Sequence, residues 1–241
     1  MIKEKQAYND IQVQPLSGGV NFGQRFLYHL RWAIHAYDFN FFMRLDDDML
    51  LCFDRLLLDL DRAPQSNLIW SWVHCAYSLV RPEESFIIIS QDIVRTFLSQ
   101  HPHSILCHPW ADQQIGIWIN QLNLRDLYYS DERIHHHPPA RDVPEIMYGD
   151  DLCLQYVAIH GAYEEFSRKL WAHRGQDGLY PPLNLPPLQA VCPYGEYFDW
   201  RYLFSTWNYE PKLCMGKPVW TTDKQMQTNS SFYAGREQAT D

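Results

Sequence analysis

Apolar residues recur at helical spacing over 21–37, where Phe22, Phe26, Leu30, Ile34 and Tyr37 form one stripe, which predicts an amphipathic helix. A dense aromatic and aliphatic run at 39–45 reads as a buried strand, and it ends in Asp46, Asp47 and Asp48. The segment 49–60 returns to helical spacing, with Asp54 on its polar side. Two further strands are predicted at 67–74 and 85–89, separated by Arg81 and Pro82. Short helices follow at 92–100 and at 111–124, the latter with Asp112 in its first turn, and a strand at 127–131. The stretch 133–144 holds His135, His136, His137 and three prolines and reads as a loop. A helix is predicted at 163–172, carrying Phe166, Leu170 and Trp171. Strands alternating with helices point to an α/β layer structure. After 178 the text changes: prolines break regular structure over 179–220, and the polar segment 221–241 reads as a disordered tail.

Three carboxylates in a row repel one another. A strand ending in them needs a cation nearby or places them in water. Mg²⁺ and Mn²⁺ take oxygen ligands, often one or two carboxylates together with the phosphates of a substrate. Ligands of open α/β sheets bind at the carboxyl ends of strands, so Asp-x-Asp at such an end suits a metal–diphosphate site. The plain alternative is a solvated acidic turn whose charge favours the positive end of the next helix dipole. Asp112 has the same plain alternative at its own helix start. The His run would attract a transition metal, but consecutive residues rarely converge on one ion, so it is a fallback ligand source.

Composition narrows the class. The chain of 241 residues is 46% hydrophobic and 20% charged, enough for a sizeable core. A net charge of -9 without a basic stripe argues against nucleic acid as partner. The many aromatic residues fill cores by default, though Trp70, Trp72 and Trp110 are the ones that could face a sugar. Six widely spaced cysteines contain no C-x-x-C pair, which is poor for structural zinc; an even count fits a disulfide-permissive lumen but equally six free thiols. Asn229-Ser230-Ser231 is an N-glycosylation sequon. No 18-residue apolar run and no signal peptide is present, so the chain as written is expected to be soluble.

The segment 31–50, a helix feeding a strand that ends in Asp-Asp-Asp, resembles the metal-binding segment of the β-1,3-glycosyltransferases, the family of β-1,3-galactosyltransferases and N-acetylglucosaminyltransferases, with Fringe more distant. Tyr8-Asn9-Asp10-Ile11 is similar to that family's entry motif, and 21–25 stands where it has a helix start. Trp110-Ala111-Asp112-Gln113-Gln114-Ile115-Gly116 resembles the Glu-Asp-Val-x-x-Gly block. Val157-Ala158-Ile159-His160, followed by Glu164, Glu165, Leu170 and Trp171, resembles the closing block. Two departures stand out. Ala111 replaces the acidic residue before the base, and Arg81-Pro82-Glu83-Glu84-Ser85-Phe86 replaces a glycine-rich segment.

The resemblance implies a GT-A-like mixed sheet flanked by helices, the fold of nucleotide-diphospho-sugar transferases, missing its first strand–helix elements before Met1. It divides the chain into a partial catalytic domain at 1–178, the proline-rich extension and the tail. It also implies an inverting, metal-dependent hexosyltransferase that takes galactose or N-acetylglucosamine from a UDP-sugar donor and forms a β-1,3 linkage on a glycan acceptor. Asp48, Asp46 and His160 would bind Mn²⁺ or Mg²⁺. Asp46 is also a candidate for the nucleotide ribose, Asp47 supports the cofactor site, and Asp112 is the catalytic base. A histidine ligand suits Mn²⁺ better than Mg²⁺. The location implied is the Golgi lumen, with membrane attachment only through an upstream anchor. The competing reading is an inactive relative that binds a glycan or a partner, favoured by the lost glycines.

Overall fold

The computed structural model describes residues 2–16, 22–76, 79–109, 111–136, 150–162, 164–175, 180–192, 211–216 and 218. In chain order the elements are α1 (Ile2–Tyr8), α2 (Phe22–Ala36), β1 (Phe41–Leu45), β2 (Met49–Leu51), α3 (Phe53–Arg62), β3 (Ile69–Ser71), β4 (Val73–Ala76), β5 (Leu79–Pro82), β6 (Phe86–Ser90), α4 (Gln91–Leu98), β7 (Leu106–Cys107), α5 (Ala111–Gln121), β8 (Tyr128–Ser130), β9 (Ile134–His135), α6 (Leu152–Gln155), β10 (Ala158–His160), α7 (Glu164–Ala172), α8 (Leu188–Val191) and β11 (Lys212–Leu213). This is a mixed α/β protein.

The central sheet has the order β1-β6-β3-β8, antiparallel except for the parallel β3–β8 pair. Both faces are covered, so β6 is apolar from Phe86 to Ile89 and buried at every position through Ser90. Alternate side chains serve opposite layers. Ile87 and Ile89 join the core that holds Phe26, Leu30, Phe97 and Trp118 from α2, α4 and α5, whereas Phe86 and Ile88 join Leu56, Trp70 and Ala158 on the other side. A smaller sheet, β2-β10-β9, lies with that second layer.

Several elements differ from the sequence expectation. The predicted helix at 49–60 opens instead as strand β2, and α3 starts only at Phe53 after the N-cap Cys52. Three apolar residues fit either period, and here pairing with β10 decides. The Asp triplet therefore occupies a turn between two strands and not a helix start, which removes the helix-dipole alternative. The predicted strand at 67–74 is two strands in two sheets, because β4 turns away to pair with β5. The expected loop from 133 contains β9, a two-residue strand held parallel to β10.

Cys52–Cys153, Cys75–Cys192 and Cys107–Cys214 are disulfide-bonded, which uses all six cysteines. The last two anchor the proline-rich segment, whose Leu188, Cys192 and Cys214 enter the first core. The tail expected at 221–241 lies outside the described residues, as does the sequon within it. Among the described residues no helix is long and apolar enough to cross a membrane.

Candidate metal centre

The Asp triplet is positioned by both sheets at once. β1 ends with Leu45 opposite Phe86, and the next amide, that of Asp46, donates to the Ser85 carbonyl at 3.0 Å. The chain then turns through Asp47 and Asp48 and returns as β2, which places Met49 opposite His160. The Asp48 carbonyl accepts the amides of Gly161 at 2.8 Å and Ala162 at 2.6 Å. Gly161 makes this possible at φ 89°, a conformation that costs a side-chain-bearing residue free energy. Asp48 and His160 are thereby fixed as neighbours although 112 positions separate their numbers.

One ligand atom each from Asp46, Asp48 and His160 lies within 4.8 Å of the others. Two ligands each ~2.2–2.4 Å from one ion stand at most about 4.8 Å apart, so the set is near closure. Asp48 is buried at 5% exposure, and His160 Nε2 lies 3.4 Å from Asp48 Oδ1. His160 Nδ1–H donates to the His136 carbonyl at 2.8 Å, which fixes the ring with Nε2 toward the carboxylates, where it carries a proton or, once deprotonated, offers a lone pair to a metal. Burial alone would lower the His160 pKa. The Asp48 carboxylate and the His136 carbonyl outweigh it and raise the value above the ordinary one. An oxygen–oxygen–nitrogen set fits Mn²⁺, and Mg²⁺ less well.

Two recesses meet at Asp47. One, of about 450 Å³, is walled by Phe22, Arg25, His29, Arg44 and Asp46. Arg44 Nη2 donates to Asp46 Oδ1 at 2.7 Å and its guanidinium lies 5.0 Å from the centre of the Phe22 ring. Burial, with Arg25 and Arg44 nearby, lowers the His29 pKa and favours the neutral ring. The second recess, of about 720 Å³, runs along β2 to Arg168 and Trp171. Trp171 is 56% exposed, with Arg174 4.1 Å from its ring centre.

The other candidates fall as follows. Asp112 is the second residue of α5, and its side chain lies outside the described residues. The block around it is ordered by packing. Gln114 accepts from the His108 amide at 2.5 Å and donates to the Leu106 carbonyl at 2.7 Å. At Gly116 a Cβ would come 3.2 Å from Arg81, so the helix lies close against β5. The His run divides: His135 sits in β9, His136 supplies the carbonyl to His160 and stacks on Trp72 at 3.7 Å, and His137 lies outside the described residues. Trp70 is core, with its Nε1–H donating to Asp131, while Trp110 also lies outside the described residues. Arg44 was missed in the sequence, although a residue two before Asp46 on a strand lies on the same face. No protein-family model matches the chain, and no curated protein matches it.

Proposed function

We propose that this chain is an inverting, divalent-metal-dependent hexosyltransferase on a GT-A-like fold, moving galactose or N-acetylglucosamine from a UDP-sugar to a glycan hydroxyl in β-1,3 linkage. The observation that carries this reading is the convergence of Asp46, Asp48 and His160, drawn from two remote parts of the chain, on one point at the end of a sheet. The recess beside Asp46 supports it, because Arg25 and Arg44 suit a diphosphate and Phe22 offers a ring face to a base. In this reading Asp46, Asp48 and His160 hold Mn²⁺. A divalent ion held there would offset the charge that develops on the leaving diphosphate. Asp47 stands between the two recesses and supports the ion's surroundings. Asp112 takes the acceptor hydroxyl proton during in-line attack on the anomeric carbon. No covalent intermediate with the protein forms, so the anomeric configuration inverts. Three disulfides support an oxidising compartment such as the Golgi lumen.

Calorimetry of Mn²⁺ and UDP tests the reading. UDP should bind only with Mn²⁺, and His160→Ala should abolish the Mn²⁺ requirement's benefit. Metal-independent UDP binding, or none at all, would sink it. The competing reading, a glycan- or partner-binding protein without turnover, draws on Glu83-Glu84-Ser85 standing where the family it resembles has glycines. Mn²⁺-dependent UDP binding without transfer or hydrolysis of any UDP-hexose would favour that reading.

A further inference from the structure

Beside the metal centre lies a group of side chains that the metal does not use. Glu83 follows β5, and its amide donates to the Trp72 carbonyl at 2.7 Å, which folds its side chain back against the hairpin. Glu83 Oε2 pairs with His74 Nε2 at 2.6 Å, and Oε1 accepts the Ser85 hydroxyl at 3.1 Å. The His74 ring stands edge-on to Trp72, with centroids 4.6 Å apart, and the His136 ring covers the Trp72 face. This wall is hooked to the metal ligands at two points. The Ser85 carbonyl receives the Asp46 amide, and the His136 carbonyl receives His160 Nδ1–H. Glu83 is also within electrostatic reach of His160.

Burial favours a neutral carboxyl, yet the hydrogen bond from His74, the charges of His74 and His136, and the Ser85 hydroxyl hold Glu83 at about 2. An ionised carboxylate accepts hydrogen bonds and donates none. His74, the Ser85 hydroxyl and, at 3.4 Å, the Ser85 amide fill three of its sites, so it keeps a lone pair for one further O–H donor. It also disfavours a second carboxylate placed beside it. A wall of this kind suits a polyhydroxylated, uncharged ring.

Resting on the transferase reading, we propose that Glu83, oriented by His74, is a specificity-determining residue that accepts a hydrogen bond from a hydroxyl of the hexose carried by the metal-bound nucleotide and excludes uronic acids. The sugar hangs directly from the diphosphate, so a carboxylate hooked to Asp46 through Ser85 lies beside it and not beside the base.

The test is calorimetric titration with Mn²⁺ present, using UDP, UDP-galactose, UDP-N-acetylglucosamine and UDP-glucuronic acid. The native chain should bind one neutral UDP-hexose at least ~5-fold more tightly than UDP, and UDP-glucuronic acid no better than UDP. Glu83→Gln should weaken the UDP-hexose about 10-fold, leave UDP unchanged and narrow the gap to UDP-glucuronic acid. His74→Gln, which keeps a side-chain donor near Glu83, should act in the same direction more weakly and serves if Glu83→Gln does not fold. Equal weakening of UDP and UDP-hexose, or none of either, overturns the inference while the transferase reading stands. Failure of the native chain to bind UDP with Mn²⁺ overturns the transferase reading itself and removes the inference with it.

Discussion

Two acidic clusters lie in this protein, one buried and one with Asp46 partly exposed, and they are built on opposite plans. In one, Asp59 and Asp131 meet guanidinium groups. Arg133 grips Asp131 with two hydrogen bonds at 2.8 Å and reaches Asp59 at 2.9 Å, while Arg55 lies 3.9 Å from Asp59. Arg55 also donates to the Cys153 carbonyl at 2.8 Å, and Trp70 donates to Asp131 at 2.9 Å. Donors and acceptors alternate, and the network ties α3 to β3, the turn between β8 and β9, and α6. In the other cluster, lone-pair atoms from Asp46, Asp48 and His160 aim at one place. Matched forks make a structural brace, whereas converging lone pairs make a socket.

Substitutions should separate the plans. Arg133→Ala, which leaves Asp59 and Asp131 buried with one arginine between them, should cost about 3–5 kcal/mol of stability in denaturant titration. Replacing both Cys52 and Cys153 by Ser should cost about 2–4 kcal/mol and also weaken Mn²⁺ binding, because that bridge ties the end of β2 to α6, which leads into β10. Asp48→Asn should weaken Mn²⁺ binding by at least about 100-fold while costing the metal-free protein far less stability than Arg133→Ala does. A loss of stability from Asp48→Asn as large as that from Arg133→Ala would erase the distinction between brace and socket.

The smallest effect is one of pH. His160 has a raised pKa in the metal-free fold, so its contribution to stability is full below the unfolded value of 6.5 and fades as pH rises through the folded value. Metal needs the neutral ring, so Mn²⁺ affinity should rise over that same window. Opposite slopes for metal-free Tm and Mn²⁺ affinity between about pH 6 and 8 are expected, and His160→Gln should flatten both. Parallel slopes would show that another group controls the site.

The strands at 39–45 and 85–89 and the helices at 21–37, 92–100 and 163–172 were legible from long or strongly periodic apolar patterns, but burial was not: β1 is an edge strand with no fully buried residue, and Tyr37 and Trp171 are exposed. β2 and β9 were not. Each is two or three residues long and exists only through pairing with β10, more than twenty residues away in sequence. The socket followed from residue chemistry together with a resemblance, since an Asp-x-Asp at a strand end and a distant His state their types but not their meeting. The Glu83–His74 pair carried no signal at all. Its members are nine residues apart across a hairpin whose second half shows in the sequence only as the break at Arg81 and Pro82.

The covalent wiring has a consequence for how the chain is made. Each bridge joins one cysteine from Cys52, Cys75 and Cys107 to one from Cys153, Cys192 and Cys214. While the first half emerges during synthesis, any bond among its three thiols is therefore a wrong one and must be undone. Oxidation to the final pattern waits for the second half, and a protease that nicks anywhere between Cys107 and Cys153 leaves two pieces still fastened at three points.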